Sequence, residues 1–232
     1  MNTSEQIIDR PFITPDGKIW PANVCVPSKR YYCAKYTKDM LISKITKKCL
    51  KPDDGKLIDL WVLTRINHWD HEIETTVCLT DNYLMLINFN FINEECTANR
   101  IDLKSIKTIR IGNLLQPNWS VLPERNYGAV QLIWGDIQQT KWLDRWNPVS
   151  KDVPMTILHH HPCFYSPELL PNKDLFDVDL ALSTISTALS TLGVQVEVEY
   201  ANICLNSHVN FFTVVYNQSN LGFCKDRNGV SF

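Results

Sequence analysis

Between Leu57 and His161 the chain is written almost entirely in short β-like runs, and no other feature restricts its possible folds as much. They read LIDLWVLTRIN from Leu57, ETTVCLT from Glu74, YLMLINFNF from Tyr83, ANRIDL from Ala98, KTIRIG from Lys107, AVQLIWG from Ala129 and PMTILHHH from Pro154. Turn-forming pairs such as Asp81-Asn82, Asn93-Glu94 and Gly112-Asn113 separate them. Successive side chains of a strand point to opposite faces. Ile101 and Leu103 therefore share one side while Arg100, Asp102 and Lys104 share the other, the pattern of a half-buried antiparallel strand. The period then changes. Leu175, Val178, Leu182, Ile185, Leu189 and Leu192 recur at steps of three and four up to Gly193, which predicts an amphipathic helix.

About seven strands followed by one helix place the chain in the α+β class. The expected form is a bent antiparallel sheet or barrel closed at one end by that helix, as in pleckstrin-homology (PH)-like domains, with extra strands after it. Residues 1–36 carry Pro11, Pro15, Pro21 and Pro27 and read as an extended arm. Residues 37–56 hold a lysine-rich amphipathic helix that Thr37 can cap and Pro52 stops, followed by a turn. The PH-like domain then covers 57–193. In 194–232, VQVEVEY and VNFFTVVY return to strand character, packed on the domain or at a dimer interface.

Several functions are disfavoured. A net charge of -2 does not suit a general nucleic-acid binder. The start MNTSEQIIDRPF has no secretory pattern, and the most apolar window, YLMLINFNFI, is too short to cross a bilayer. Eight cysteines without a C-x-x-C pair read as reduced cytosolic thiols. Phosphate-binding glycine loops and the G-x-S-x-G elbow are missing, and no cysteine has an arginine six residues on, as a cysteine phosphatase requires. The chain is expected to be a non-enzyme without a cofactor.

The candidate sites lie elsewhere. In RINHWDHE, from Arg65 to Glu72, two histidines stand three apart, and LHHHP follows at Leu158. Residues three apart on a strand face opposite ways, and in the triple run His159 and His161 would share one face with His160 on the other, so the histidines of both clusters read as surface or capping groups and no metal site is assigned. A metal-dependent hydrolase built on these clusters is the outlying alternative. Lys44, Lys47, Lys48 and Lys51 gather beside the apolar stripe Leu41, Ile42, Ile45 and Cys49, and suit an anionic membrane surface or a helix-binding partner. Arg65, Trp69, Lys141 and Arg145 are further membrane or partner contacts near turns. In TKWLDRWNP, Trp142 and Trp146 are expected to bury their rings in a compact turn. Phe211, Phe212 and Val214, in a run apolar on both faces, are the self-association candidates.

LWVLTRINHWDHE, CLTDNYLMLINFNFI, VQLIWG, RWNP and the ending NLGFCKDRNGVSF resemble, in this order, the tumour-protein-regulated TPRG (Mover-like) family. That family shares a homology domain, hSac, with the Sac-type inositol phosphatases, and the likeness runs from about Leu57 to Phe232. The resemblance implies a PH-like domain without phosphatase activity. It also implies self-association as a dimer, peripheral attachment to vesicle or endosomal membranes from the cytoplasm and, in neurons, a presynaptic role in vesicle release with calmodulin and active-zone scaffold proteins as partners. The expected function is a non-enzymatic, self-associating adaptor with phosphoinositide contact. A protein-only dimeric scaffold that binds no lipid is the alternative.

Overall fold

The computed structural model describes residues 31–116, 127–205, 226–227 and 230–231. Its strands are β1 (Leu57–Ile66), β2 (Glu72–Thr80), β3 (Tyr83–Phe89), β4 (Cys96–Asp102), β5 (Thr108–Leu115), β6 (Gly128–Ile133), β7 (Met155–His159), β8 (Glu197–Tyr200) and β9 (Ile203–Cys204), with a small hairpin of β10 (Asp226–Arg227) and β11 (Val230–Ser231). The helices are α1 (Lys38–Lys48), the four-residue α2 (Trp142–Arg145) and α3 (Val178–Thr191). The sheet runs β4-β3-β2-β1-β7-β6-β5-β8, and β9 also pairs with β5.

All pairings among β1 to β7 are antiparallel, as the alternation predicts. The sheet is nonetheless larger than expected and mixed. β8 and β9, read from sequence as an appendage, extend it by pairing parallel to β5. Gly112 makes this crossing possible: a Cβ there would lie 2.0 Å from the Ala201 carbonyl oxygen, so only glycine admits so close a backbone.

The sheet curls around one core. Trp61, Val77, Leu84 and Ile101 from one half meet Ile109, Val130, Leu132 and Leu158 from the other. Val178, Ala181, Leu182, Ile185 and Leu189 of α3 complete that cluster, and the Asp177 carboxylate caps the helix by accepting from the Asp179 and Leu180 amides. Burial of each such aliphatic side chain contributes roughly 1.5–3 kcal/mol.

A second core lies on the opposite face of β1–β3. Leu60, Val62, Cys78, Met85 and Ile87 alternate with the residues of the first core and receive Leu41 and Ile45, both fully buried, from α1. The Thr37 hydroxyl accepts the Met40 amide, so the predicted cap is in place. One sequence reading is corrected here: Cys49 and Cys96 are disulfide-bonded rather than reduced, because the end of α1 lands beside the start of β4. Arg100 on β4 ties the same corner, donating to both oxygens of the buried Asp54 carboxylate and to the Cys49 carbonyl. Its guanidinium, ahead of other causes, lowers the Asp54 pKa.

Candidate functional site

The turn between β1 and β2 is built by Asn67, whose side-chain oxygen accepts from the Trp69 and His71 amides while Asp70 adopts a positive φ of 62°. The turn holds a second segment in place. Asn67 Nδ2 donates to the Pro148 carbonyl at 3.0 Å, and Trp69 Nε1 donates to the Arg145 carbonyl at 2.8 Å. Arg145 in turn donates to the carbonyls of Ile137 and Gln138. Two sequence candidates thus meet here, and both serve the scaffold: Trp69 is buried, and Arg145 braces its own loop.

What this scaffold presents differs from the sequence expectation. Trp142 and Trp146 do not bury their rings; they are 67% and 41% exposed, with Leu143 at 73% and Val149 at 78%. Their ring centroids are 5.5 Å apart. A four-residue helix followed by Asn147-Pro148 is too short to dock an apolar face, so the side chains project from an anchored loop. Exposed Lys141 and Lys151 flank this apolar group. Clustered exposed apolar side chains on a braced loop mark a contact surface.

Beside the loop is a cleft of about 500 Å³, lined by Arg65, His68, Asn88, Asn99, Thr156 and Lys151 among others. Arg65 is half-buried, and burial lowers its pKa. Its Nε has no hydrogen-bond partner, and among the described residues no carboxylate pairs with it. Among the described residues the acidic lining residue is Glu74, whose carboxylate is 3.0 Å from His161 Nε2. The cleft is therefore of mixed character, with apolar walls from Ile73, Leu86, Phe89 and Trp134 and with Arg65 and Lys151 on its polar side, where an anionic group can be met.

The lysine helix lies on the other face of the sheet. Lys44 and Lys48 both bind the Glu94 carboxylate, Lys48 at 2.8 Å, whereas Lys47 and Lys51 are exposed. The apolar side of α1 that a helix-capturing partner would grip is buried in the second core. Among the described residues, the converging groups of three or more potential metal ligands are Cys33 with His161 and Cys163, and His160 with Asp177 and Asp179; the LHHHP run, read from sequence as surface or capping histidines, is thus buried and supplies a residue to each group, while His68 and His71 enter neither. The self-association candidates Phe211, Phe212 and Val214 lie outside the described residues. Among those described, no helix is long and apolar enough to cross a membrane.

Sequence reasoning reached Arg65 by its place at a strand end. It missed Lys151 and the asparagines of β3 and β4, because a cleft assembled from many separate segments leaves no local pattern.

A family profile described as hSac2, inositol phosphatase, matches residues 30–134. Human tumor protein p63-regulated gene 1 protein is 26% identical over 182 residues, an alignment covering 74% of this chain and 65% of that protein. The chain therefore matches just under two thirds of that relative's length. The hSac2 domain from human phosphoinositide phosphatase Sac2 aligns with a TM-score of 0.44 at 13% identity, over 74% of this chain and 95% of that domain.

Proposed function

We propose that the chain, which matches the hSac2 profile over residues 30–134 and resembles the p63-regulated gene 1 protein, belongs with that family and is a non-enzymatic adaptor that rests on anionic membrane surfaces. The observation that carries this reading is the braced Trp142–Val149 loop beside the Arg65 cleft. Tryptophan favours the interface between headgroups and acyl chains, and Leu143 and Val149 add apolar area that can enter it. Lys141 and Lys151 would meet the surface charge, and Arg65 a phosphorylated headgroup. The inositol-phosphatase description belongs to the family profile; this chain has no cysteine followed six residues later by arginine, which supports a binding role.

By the same reading the adaptor is cytoplasmic, peripheral on vesicle or endosomal membranes, and self-associating through the run that holds Phe211, Phe212 and Val214. In neurons it would modulate release at the presynapse with scaffold proteins. Calmodulin capture of α1 would require the helix to leave the sheet, because Leu41 and Ile45 are fully buried.

Sedimentation with phosphatidylcholine vesicles, with and without phosphatidylserine or a phosphoinositide, tests the membrane reading. Wild type should pellet with the phosphoinositide vesicles, and less so as salt rises. Trp142→Ser with Trp146→Ser, and separately Arg65→Gln, should each weaken binding by about tenfold or more, or roughly 1.4 kcal/mol. Lys47→Glu with Lys51→Glu should change it less. Recovery of wild type in the supernatant under every condition removes the membrane clause and leaves a protein-only scaffold.

A further inference from the structure

We propose that Cys33, Glu74, His161 and Cys163 form a buried site for one zinc-like divalent cation, which clamps the segment preceding α1 onto the sheet. The four come from three separate parts of the chain. Cys33 lies in the 3-10 turn Tyr32–Lys35, Glu74 on β2, and His161 and Cys163 at the corner that follows β7. All are enclosed: Cys33 and His161 are 0% exposed, Cys163 1% and Glu74 8%. One ligand atom each from Cys33, His161 and Cys163 converge so that all lie within 4.8 Å of one another. His161 Nε2 stands 3.9 Å from Cys33 Sγ and 3.0 Å from Glu74 Oε2.

The donor chemistry fits. Two thiolates, an imidazole and a carboxylate are ligands that zinc accepts, with metal–ligand lengths of about 2.0–2.3 Å. A tetrahedron of that size sets its donors roughly 3.3–3.8 Å apart. The separations of 3.0 and 3.9 Å about His161 Nε2 bracket this range, so Cys33, His161 and Cys163 form the converging core of the site and the Glu74 carboxylate, in reach of His161, turns in to complete it. The Tyr31 and Phe176 rings pack on His161 at centroid distances of 4.8 and 5.3 Å, which shields the cluster from water. Such enclosure suits a structural site rather than a catalytic one, which needs a position open to substrate.

Loading has a defined proton balance. The two thiols release their protons, and the cation takes their place. His161 Nδ1 accepts the Cys163 amide at 3.1 Å, so in the metal-free form the imidazole proton sits on Nε2 and is donated to Glu74. A cation on Nε2 moves that proton to Nδ1, and the ring and the Cys163 amide must then turn apart. The Cys163 amide resonance therefore reports loading directly.

The full chain, purified from zinc-supplemented expression in a non-thiol reductant, should retain about one zinc per chain. Cobalt substitution should give thiolate-to-metal charge-transfer bands that weaken in Cys33→Ser and Cys163→Ser but persist in Cys204→Ser, a variant of an exposed thiol. At free zinc about a hundred times the dissociation constant, the melting temperature should stand roughly 5–10 °C above that of the stripped protein. Folded wild type that holds no metal, and whose melting and Cys163 amide are unmoved by added zinc, overturns the proposal. So does zinc retained in full by a folded double variant. Should the serine variants fail to fold, the wild-type cobalt spectrum decides alone, since a site without thiolates gives no such bands.

Discussion

Arg65 is half-buried with no carboxylate paired to it among the described residues, and burial disfavours its charged form. Arg65→Met, similar in volume and uncharged, should leave the melting temperature unchanged or raise it while weakening vesicle binding by about tenfold. A fall in melting temperature would mean that the guanidinium is satisfied within the fold. Glu94 is the opposite case. Its pKa is lowered to about 2, first by the hydrogen bond from Lys44 and then by that from Lys48. Because the folded value lies below the ordinary one of 4.5, the stabilisation this trio provides is complete above that pH and is lost as pH falls toward 2. A carboxyl NMR titration should show a Glu94 midpoint near 2; an ordinary midpoint would return both lysines to the pool available for partners. The tryptophans show what spacing cannot convey. Trp142 and Trp146, four apart, were recognisable as a pair, but which way a four-residue helix turns its pair depends on the segment it is tied to, here the Asn67–Trp69 turn.

At the level of elements, alternation and capping signals were enough to identify most strands, α1 with its Thr37 cap, and α3. α3 begins at Val178 rather than Leu175 because Asp177 caps it, leaving Leu175 in the 3-10 segment ahead. Pairing between distant segments was not legible. Nothing near Cys49 indicates Cys96, 47 residues on, and nothing in VQVEVEY indicates that it runs parallel to β5. That parallel edge rests on Gly112, and the Arg110–Glu199 ion pair at 2.6 Å spans the same two strands. Gly112→Ala should therefore lower stability by about 2–3 kcal/mol in chemical denaturation, with faster hydrogen exchange at Glu197–Tyr200. Unchanged exchange there would mean that β8 does not pack as closely as the backbone distance requires.

Across the whole molecule, one sheet separates two cores and gives each a different task. The face that carries α3 also lines the Arg65 cleft, and the face that carries α1 also carries the Cys33, Glu74, His161 and Cys163 cluster. Both groups draw side chains from segments far apart in the chain, which is why the fold class and most strand positions were readable from the sequence while the sites were not. The placement of β1 has a consequence for synthesis. It is the first of the described strands to be made, yet it lies inside the sheet between β2 and β7. At about 5–20 residues per second, the 91 residues from Ile66 to its partner Ile157 take roughly 5–18 s to emerge from the ribosome. The β1–β4 meander can form well before then, and for that interval one edge of β1 is left with its backbone unpaired. A nascent chain in that state is a natural client for chaperones that shield strand edges.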